Sequence, residues 1–324
     1  MIITPEQLKK WSENAKNFTL LDTRPKKQIK QSPIKELEYI IGTPDSIEKL
    51  KGDKVLVCQF GIVTEGMIIE YNLQNSYSLL GGVQAWNNFI KDKNDLSRWS
   101  RQTILEEIGM DGQKKIMDAR VAIVGMGGLG CPAATSLVAA GIGTLNIIDG
   151  DTVDLSNLHR QHLYQPGDIG KKKVRVAKRS LENISSQTKI IAFDNFLNHS
   201  NVKACFENID IIIDATDNIA SRQIIDKVSK DKNIPMVYGS LYRFEGQVGV
   251  FNTESKIGYT ELFPGNISGG KTCEEAGVIG MLPSIIGNMQ ALEAIKIVVN
   301  LEPNLIGRLL IYDSLQHKIE VIEL

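Results

Sequence analysis

Residues 121–149 read VAIVGMGGLGCPAATSLVAAGIGTLNIID. An apolar run, a glycine turn, an apolar helical pattern and a second apolar run follow one another, and an aspartate ends the second run. This order is typical of a strand, a helix and a parallel strand in a doubly wound α/β sheet. The stretch therefore decides the predicted fold class of the part of the chain in which it lies.

The glycine turn in this stretch fits a nucleotide-binding fingerprint at Gly125, Gly127 and Gly130, although each glycine also suits a simple turn. Without a Cβ atom, the backbone can turn tightly and approach phosphate oxygens. The helix that follows points its free N–H groups at that anion, and Asp149 is placed to accept hydrogen bonds from ribose hydroxyls. The pattern predicts an adenine-nucleotide site and is compatible with both NAD and ATP.

Composition narrows the class of protein. The chain has 324 residues, 42% of them hydrophobic, and a formal net charge of −1, so we expect about two domains and neither a nucleic-acid nor a membrane surface. We find no apolar run of the ~18 residues that span a bilayer and no signal peptide.

The scattered cysteines form no CxxC pair, which predicts a reducing, cytoplasmic protein without disulfides. They are Cys58, Cys131, Cys205 and Cys273.

The chain divides into two predicted domains, residues 1–92 and 96–324, with the charged run at 91–95 as their linker. In the first domain we expect a small α/β unit with strands at 19–21, 54–57 and 77–80 and helices at 5–11 and 64–73. In the second we expect alternating strands and helices, ending in a helix over 283–300 and a hairpin of 308–312 with 318–322.

Charged side chains follow the predicted strands of the second domain. Arg160 and Lys173 are candidates for neutralising the β- and γ-phosphates of ATP, and Asp217 follows a strand at the edge where open α/β sheets bind ligands. Asp217 is a candidate magnesium ligand, and it also suits a helix N-cap. Arg160 and Lys173 also suit solvated surface positions, where such charges usually do little.

Nine segments of the second domain resemble, in the same order, those of the E1-type adenylyltransferases of the MoeB/ThiF/HesA group. They are RWSRQ at 98–102, GMGGLG at 125–130, DGD at 149–151, SNLHRQ at 156–161, GKKKV at 170–174, ATDN at 215–218, RFEGQV at 243–248, CEEAGV at 273–278 and LEAIK at 292–296. The resemblance covers residues 96–324 and implies a Rossmann-type doubly wound sheet. A lone glycine fingerprint is a weak signal, whereas this ordered set is a strong one.

The resemblance implies that ATP adenylates the C-terminal glycine of a ubiquitin-like sulfur carrier ending in Gly-Gly and that pyrophosphate leaves. It also implies Mg²⁺ as cofactor and a homodimer in which Arg101 reaches into the partner's site. Because the attacking carboxylate and the α-phosphate are both anionic, catalysis must depend on charge neutralisation and positioning. The implied nucleotide contacts are Gly125, Gly127, Gly128, Gly130, Asp149, Asp151, Ser156, Asn157, Leu158, His159, Arg160, Lys173, Asp217 and Asn218.

The chain departs from this family at a structural zinc that relatives often bind with two CxxC pairs. Residues 258–261 read GYTE where the first pair is expected, and no second pair precedes Leu324. A tetrahedral zinc needs four ligands of this kind, so we predict no structural zinc. Cys273 matches a position at which some relatives place a thiol that receives the acyl group or sulfur, and it also suits a bystander role.

The first domain resembles a rhodanese-type sulfurtransferase through DTR at 22–24, VLVCQFGIVT at 55–64 and LGGVQAW at 80–86. Cys58 precedes a helix in a loop of amide donors, which predicts a lowered pKa. The resemblance implies a persulfide on Cys58, supplied by a donor such as a cysteine desulfurase, that attacks the acyl-adenylate to give a thiocarboxylate. Cys58 also suits an ordinary loop thiol, since the loop holds neither Arg nor Lys.

Two other classes of function compete with the adenylyltransferase hypothesis. An NAD-dependent oxidoreductase uses the same glycine fingerprint, and a non-catalytic scaffold would bind nucleotide and carrier without turnover. Among adenylyltransferases, the spacing from Arg98 to Asn218 favours the molybdopterin branch, with thiamin and tRNA-thiolation carriers as alternatives. Arg101, Arg160, Lys173 and Asp217 together favour an adenylyltransferase over the two other classes.

Overall fold

The computed structural model describes residues 1–43, 46–47, 49–94, 96–253, 257–264 and 277–324. The chain forms two compact units, Met1–Ser97 and Arg98–Leu324. Residues 91–94 of the predicted linker form the last turn of a helix that begins at Gly82, and the predicted domain bounds stay a prediction. A polar, charged run also suits the exposed end of an amphipathic helix, so composition alone did not separate the two.

The first unit is built on a parallel sheet of five strands in the order β1-β5-β4-β2-β3. Its strands are β1 (Ile2–Ile3), β2 (Phe18–Asp22), β3 (Ile40–Ile41), β4 (Asp53–Val57) and β5 (Ser76–Leu79). Its helices are α1 (Pro5–Glu13), α2 (Lys26–Gln31), α3 (Ile62–Glu70) and α4 (Gly82–Asn94). Leu20, Val55 and Val57 of the sheet pack with Trp86 of α4 in a buried core. The strands and helices predicted here all form, with ends that differ by a few residues.

The second unit contains a sheet of eight strands in the order β13-β12-β11-β10-β9-β6-β7-β8. Strands β10, β9, β6, β7 and β8 run parallel, and β11, β12 and β13 continue the sheet antiparallel. The strands are β6 (Arg120–Val124), β7 (Thr144–Ile148), β8 (Lys189–Phe193), β9 (Ile211–Asp214), β10 (Met236–Tyr242), β11 (Glu245–Phe251), β12 (Arg308–Asp313) and β13 (Lys318–Glu323).

Helices of the second unit connect and cover these strands. They are α5 (Ser100–Thr103), α6 (Gly109–Asp118), α7 (Gly130–Ala140), α8 (Lys173–Ile184), α9 (Val202–Cys205), α10 (Ile219–Lys232), α11 (Tyr259–Leu262) and α12 (Met281–Val299), with short 3₁₀ turns at Ser97–Trp99, Leu155–Asn157 and Pro166–Asp168. The predicted α/β class and the terminal hairpin are confirmed. The sequence analysis did not predict β8, although residues 190–193 form an apolar run; three of these four residues are only half-buried.

Helix α12 corrects the expectation that no segment is long and apolar enough to cross a membrane. Its 19 residues pass that test by length and hydropathy alone. The helix nevertheless packs against β10, β11 and α7, and Leu282, Ile286 and Ala294 are buried in the main core of this unit. A helix that is covered by protein on several sides has few contacts with water, so its sequence can be as apolar as that of a membrane helix.

Candidate functional site

A cleft of about 660 Å³ lies at the carboxyl ends of β6, β7 and β9 in the second unit. This is the edge at which open parallel sheets bind ligands. Most of the residues that we expected to contact nucleotide line it together. They are Gly125, Gly127, Gly128, Asp149, Asp151, Ser156, Asn157, His159, Arg160, Lys173, Asp217 and Asn218.

The glycine turn leaves β6 in a conformation that requires glycine. Gly125 has φ of +93°, and a Cβ atom there would lie 2.5 Å from the carbonyl oxygen of Ala215. Gly130 is packed so closely that a Cβ atom would collide with the carbonyl oxygen of Gly125. Gly130 does not line the cleft, so its role is close helix–strand packing rather than the predicted contact with nucleotide.

Asp149 directly follows β7 and lines the cleft. One carboxylate oxygen accepts the N–H of Met126 at 2.7 Å, and the other accepts the N–H of Asp151 at 2.7 Å. Burial raises the pKa of Asp149, although Lys173 and these two N–H groups offset part of the effect. Each oxygen keeps a further lone pair, so the carboxylate can still accept from ribose hydroxyls.

Lys173 is held at the start of α8 by contacts with Asp151. Its side chain is only 8% exposed, and its Nζ lies 3.1 Å from the Asp151 carboxylate, whose side chain is 53% exposed. The N–H of Lys173 donates to the carbonyl oxygen of Asp151 at 3.0 Å. A buried cation with a solvent-facing counter-ion is well suited to a ligand anion, because a phosphate can take the place of the exposed carboxylate.

The 3₁₀ turn that contains Ser156 and Asn157 begins with a capping box. Asp154 accepts from the N–H of Ser156 at 2.8 Å, while the side chain of Asn157 accepts the N–H of Asp154 at 3.2 Å. Arg160 is half-buried, and its guanidinium donates to the carbonyl oxygen of Ser156 at 2.7 Å. Since this bond uses one of five N–H donors, Arg160 retains donors for phosphate.

The loop after β9 places Asp217 and Asn218 in the lining of the cleft. Asn218 is the N-cap of α10 and accepts the N–H of Ser221 at 2.8 Å. The alternative reading of Asp217 as this N-cap is therefore wrong. Asp217 is exposed, and within the described part of the chain its carboxylate has neither a hydrogen-bond donor nor an ion-pair partner.

Mg²⁺ binds oxygen ligands and is commonly held by one or two carboxylates together with substrate phosphates and water. The unpartnered Asp217 carboxylate, in the same cleft as the glycine turn, fits this requirement. Among the residues that the structure describes, no group of three or more His, Cys, Asp or Glu side chains is arranged to hold a metal ion. The absence of structural zinc stays a prediction, because residues 265–276 lie outside the described ranges.

Two residues that the sequence did not single out also line the cleft. Arg222, one turn into α10, forms an ion pair with the buried Asp214. Gln161 is 3% exposed and lies beneath the glycine turn. From the sequence, an arginine in an otherwise polar helix is expected to be a surface residue. Only the fold shows that Arg222 contacts the buried Asp214.

Two further predicted site residues that the structure describes, Arg101 and Leu158, do not line the cleft. Arg101 is exposed on α5 and does not line it, so its predicted action in a partner's site stays a prediction. Leu158 is half-buried and packs against the hydrophobic core. Cys273 lies outside the described residues.

Cys58 in the first unit directly follows β4 and lies before α3. Its Sγ accepts the N–H of Gly61 at 3.1 Å and the hydroxyl of Thr64 at 3.5 Å. Burial alone would raise the pKa of Cys58, but the hydrogen bonds from Thr64, Phe60 and Gly61 outweigh it and lower the pKa. The hydrogen bonds around Cys58 agree with the lowered pKa that the loop sequence predicts, and its role in sulfur transfer stays a prediction.

The two other described cysteines are buried thiols of the opposite kind. Burial raises the pKa of Cys131 to about 12 and that of Cys205 to about 11. Thiols with such values carry almost no thiolate near neutral pH. Both residues therefore serve packing, as apolar surroundings suggest.

The fold and the cleft define a nucleotide-binding protein of the Rossmann type. A profile of the ThiF family matches residues 99–324. "Sulfur carrier protein adenylyltransferase" of Thermus thermophilus is 37% identical over 231 residues, which are 69% of this chain and 85% of that protein. "Adenylyltransferase and sulfurtransferase MOCS3" of Caenorhabditis briggsae is 40% identical over 235 residues, which are 72% of this chain but only 58% of that protein.

Solved structures show the same architecture. The crystal structure of PaaA is 26% identical, with a TM-score of 0.60 over 70% of this chain and 82% of that chain. The Escherichia coli MccB structure with ATP is 20% identical, with a TM-score of 0.62 over 80% of this chain and 82% of that chain. At that identity the MccB likeness shows the fold alone.

The chain belongs to the ThiF family of E1-like adenylyltransferases. It is a nucleotidyltransferase, close to the sulfur carrier protein adenylyltransferases. This class overturns the NAD-dependent oxidoreductase hypothesis, which rested on the glycine fingerprint alone. The family match begins at residue 99 and does not extend over the first unit.

Proposed function

We propose that the second unit uses ATP to adenylate the C-terminal glycine of a ubiquitin-like sulfur carrier that ends in Gly-Gly. One observation carries the proposal. Arg160, Lys173 and Asp217 line the same cleft as the glycine turn and Asp149, which is the set that a triphosphate requires and a dinucleotide does not. The names of the relatives from T. thermophilus and C. briggsae support an adenylyltransferase.

In this proposal the chain positions ATP and neutralises its charge. Asp149 accepts from the ribose hydroxyls, and the backbone of Gly125 to Gly128 approaches the phosphates. Lys173 and Arg160 offset the negative charge of the phosphates, because an anionic carboxylate must approach an anionic α-phosphate. Asp217 would hold Mg²⁺, which neutralises phosphate charge when it is bound.

The reaction forms one bond and breaks another. A carboxylate oxygen of the carrier's last glycine attacks the α-phosphorus of ATP, and the bond to the bridging oxygen of the β-phosphate breaks. The products are an acyl-adenylate and pyrophosphate. We also propose that the protein acts as a homodimer, with the exposed Arg101 contributing to the site of the partner subunit.

We propose further that the first unit is a rhodanese-like sulfur donor. The terminal sulfur of a Cys58 persulfide attacks the acyl carbon, AMP leaves, and an acyl disulfide with Cys58 forms. A second thiol then attacks the Cys58 sulfur and releases the thiocarboxylate of the carrier. The amide-lined position and lowered pKa of Cys58 support this role, and a cysteine desulfurase is the expected source of the persulfide sulfur.

The molybdopterin-synthase small subunit is the carrier that we propose first, with thiamin and tRNA-thiolation carriers as alternatives. Incubation of each purified carrier with the protein, ATP and Mg²⁺, followed by intact-mass spectrometry, tests the proposal. We expect an adenylate adduct on one carrier and none when its last glycine is removed. Absence of an adduct on every carrier would favour the scaffold alternative.

A further inference from the structure

A buried ion pair lies beneath the loop that carries Asp217. Asp214 ends β9 and is fully buried, and Arg222 Nε lies 3.3 Å from its carboxylate. The Arg222 side chain is itself only 12% exposed. Removing two charges from water is costly, and losing one partner of such a pair would leave the other charge buried and uncompensated.

The backbone between this pair and Asp217 is held at each step. The Gln290 side chain donates to the carbonyl oxygen of Asp214 at 2.7 Å, and the N–H of Ala215 donates to β6 at 2.9 Å. Thr216 donates its N–H and hydroxyl to Asp214 at 3.0 and 2.6 Å. The guanidinium of Arg222 donates to the carbonyl oxygen of Thr216 at 2.8 Å. These bonds fix the chain up to the residue before Asp217.

Arg222 also connects this loop to the next strand of the sheet. Its guanidinium donates to the carbonyl oxygen of Gly239 on β10 at 3.1 Å and lies over the ring of Tyr238 with 4.9 Å to the centroid. One planar group with several donors therefore joins the loop after β9 to the middle of β10. A lysine keeps the charge but cannot reproduce this fork of donors.

We propose that Arg222 is a positioning residue for Asp217, acting through Thr216. By holding the Thr216 carbonyl, Arg222 fixes the direction in which the chain enters Asp217, whose carboxylate has no other described partner to orient it. The inference rests on the proposed function, because Asp217 is a magnesium ligand only in that proposal. Groups that orient a metal ligand in this way commonly change metal affinity when they are altered.

The test compares Arg222→Lys with Arg179→Lys as a matched control. Arg179 is 60% exposed and bonds Asp168 outside the cleft. A fluorescent ATP analogue is titrated into each protein at increasing Mg²⁺ concentration, without carrier. We expect the Mg²⁺ concentration for half-maximal enhancement of binding to rise about 10–100-fold in Arg222→Lys. Binding without Mg²⁺ should change little, and Arg179→Lys should behave as wild type.

An unchanged Mg²⁺ dependence in a folded Arg222→Lys variant contradicts the inference, whether or not the wild type catalyses adenylation. If Arg222→Lys does not fold, Arg222→Gln decides, since it also removes the guanidinium that holds the Thr216 carbonyl oxygen. A shift toward higher Mg²⁺ supports the positioning role, and no shift contradicts it. A wild type whose nucleotide binding ignores Mg²⁺ would contradict both this inference and the role of Asp217.

Discussion

Lys173 Nζ lies 3.1 Å from the Asp151 carboxylate, with the lysine buried and the aspartate half-exposed. The pair holds the ammonium in the cleft before any phosphate arrives. Lys173→Met keeps most of the aliphatic stem and removes the charge, so we expect a fall of about 100-fold or more in pyrophosphate exchange. The melting temperature should change little, because the partner carboxylate remains hydrated.

Lys178→Met is the control for this prediction. Lys178 lies on the same helix α8, and its 42% exposed side chain pairs with Glu182 outside the cleft. Exchange by this variant should match the wild type. Equal activity of Lys173→Met and wild type would show that Lys173 does not neutralise phosphate.

Asp149→Asn should separate nucleotide binding from stability. The amide can accept only one of the two N–H bonds that the carboxylate accepts from Met126 and Asp151. Its weaker acceptor should lower affinity for ATP by about tenfold or more. Calorimetric titration measures this, and an unchanged dissociation constant would exclude Asp149 as the ribose acceptor.

The same variant makes a prediction about pH, because the folded-state pKa of Asp149 is raised. A raised pKa means that the neutral form is favoured by folding and that stability is lost as pH rises through that pKa. The amide that replaces the carboxylate cannot ionise. As pH rises through the raised pKa, the wild type should therefore lose stability that Asp149→Asn does not lose, and the difference between the two should shift in favour of the variant. Urea unfolding of both proteins at a series of pH values measures this.

Gly130→Ala should destabilise the second unit. A Cβ atom at this position would collide with the carbonyl oxygen of Gly125, and backbone atoms cannot yield as a flexible side chain does. We expect a loss of about 1–3 kcal/mol or more in the free energy of unfolding. Gly167→Ala is the control, since nothing lies within 4 Å of a Cβ atom there. Equal melting temperatures for both variants would refute the packing role of Gly130.

Cys58 should react with iodoacetamide at lower pH than an ordinary thiol, whose pKa is 9.0. The thiolate is the nucleophile, so a lowered pKa moves the rise in alkylation rate to lower pH. Cys131 and Cys205, with pKa values of about 12 and about 11, should stay unmodified across that range. Peptide mass mapping against pH measures all three residues.

Thr64→Val tests the cause of the shift at Cys58. It removes the hydroxyl that donates to Sγ, so the alkylation curve should move to higher pH. Thr19→Val in the neighbouring strand β2 should leave the curve in place. If the two variants show the same curve as wild type, Thr64 does not set the thiolate pKa.

The fold was largely predictable where periodicity was strong. The parallel strands β6, β7 and β9 are mostly apolar and almost wholly buried, because both faces of the sheet are covered. The last turn of α4 was harder to predict, since polar helix ends share their composition with loops. The strand β8 was missed despite its apolar residues, since no glycine turn marks it.

Residues of the site were predictable where nucleotide binding requires a particular residue type at a particular position. Gly125, Asp149 and Lys173 follow strands or begin helices in ways that the chemistry of a nucleotide demands. Arg222 was missed because only the fold shows its partner Asp214. The sequence left open whether Asp217 is the N-cap of α10, and only the hydrogen bond that Asn218 accepts shows that it is not. Sequence patterns therefore predicted the residues that would contact the nucleotide, but not the residues that support them.

Exchange of labelled pyrophosphate into ATP is the most direct test of the proposed adenylyltransferase. Each Gly-Gly-ending carrier is added to wild type, to Asp217→Ala and to Asp231→Ala, a control at an exposed position on α10. We expect Mg²⁺-dependent exchange with one carrier, retained in Asp231→Ala and lost in Asp217→Ala. No exchange with any carrier, in a protein that binds ATP, would contradict the proposed catalysis.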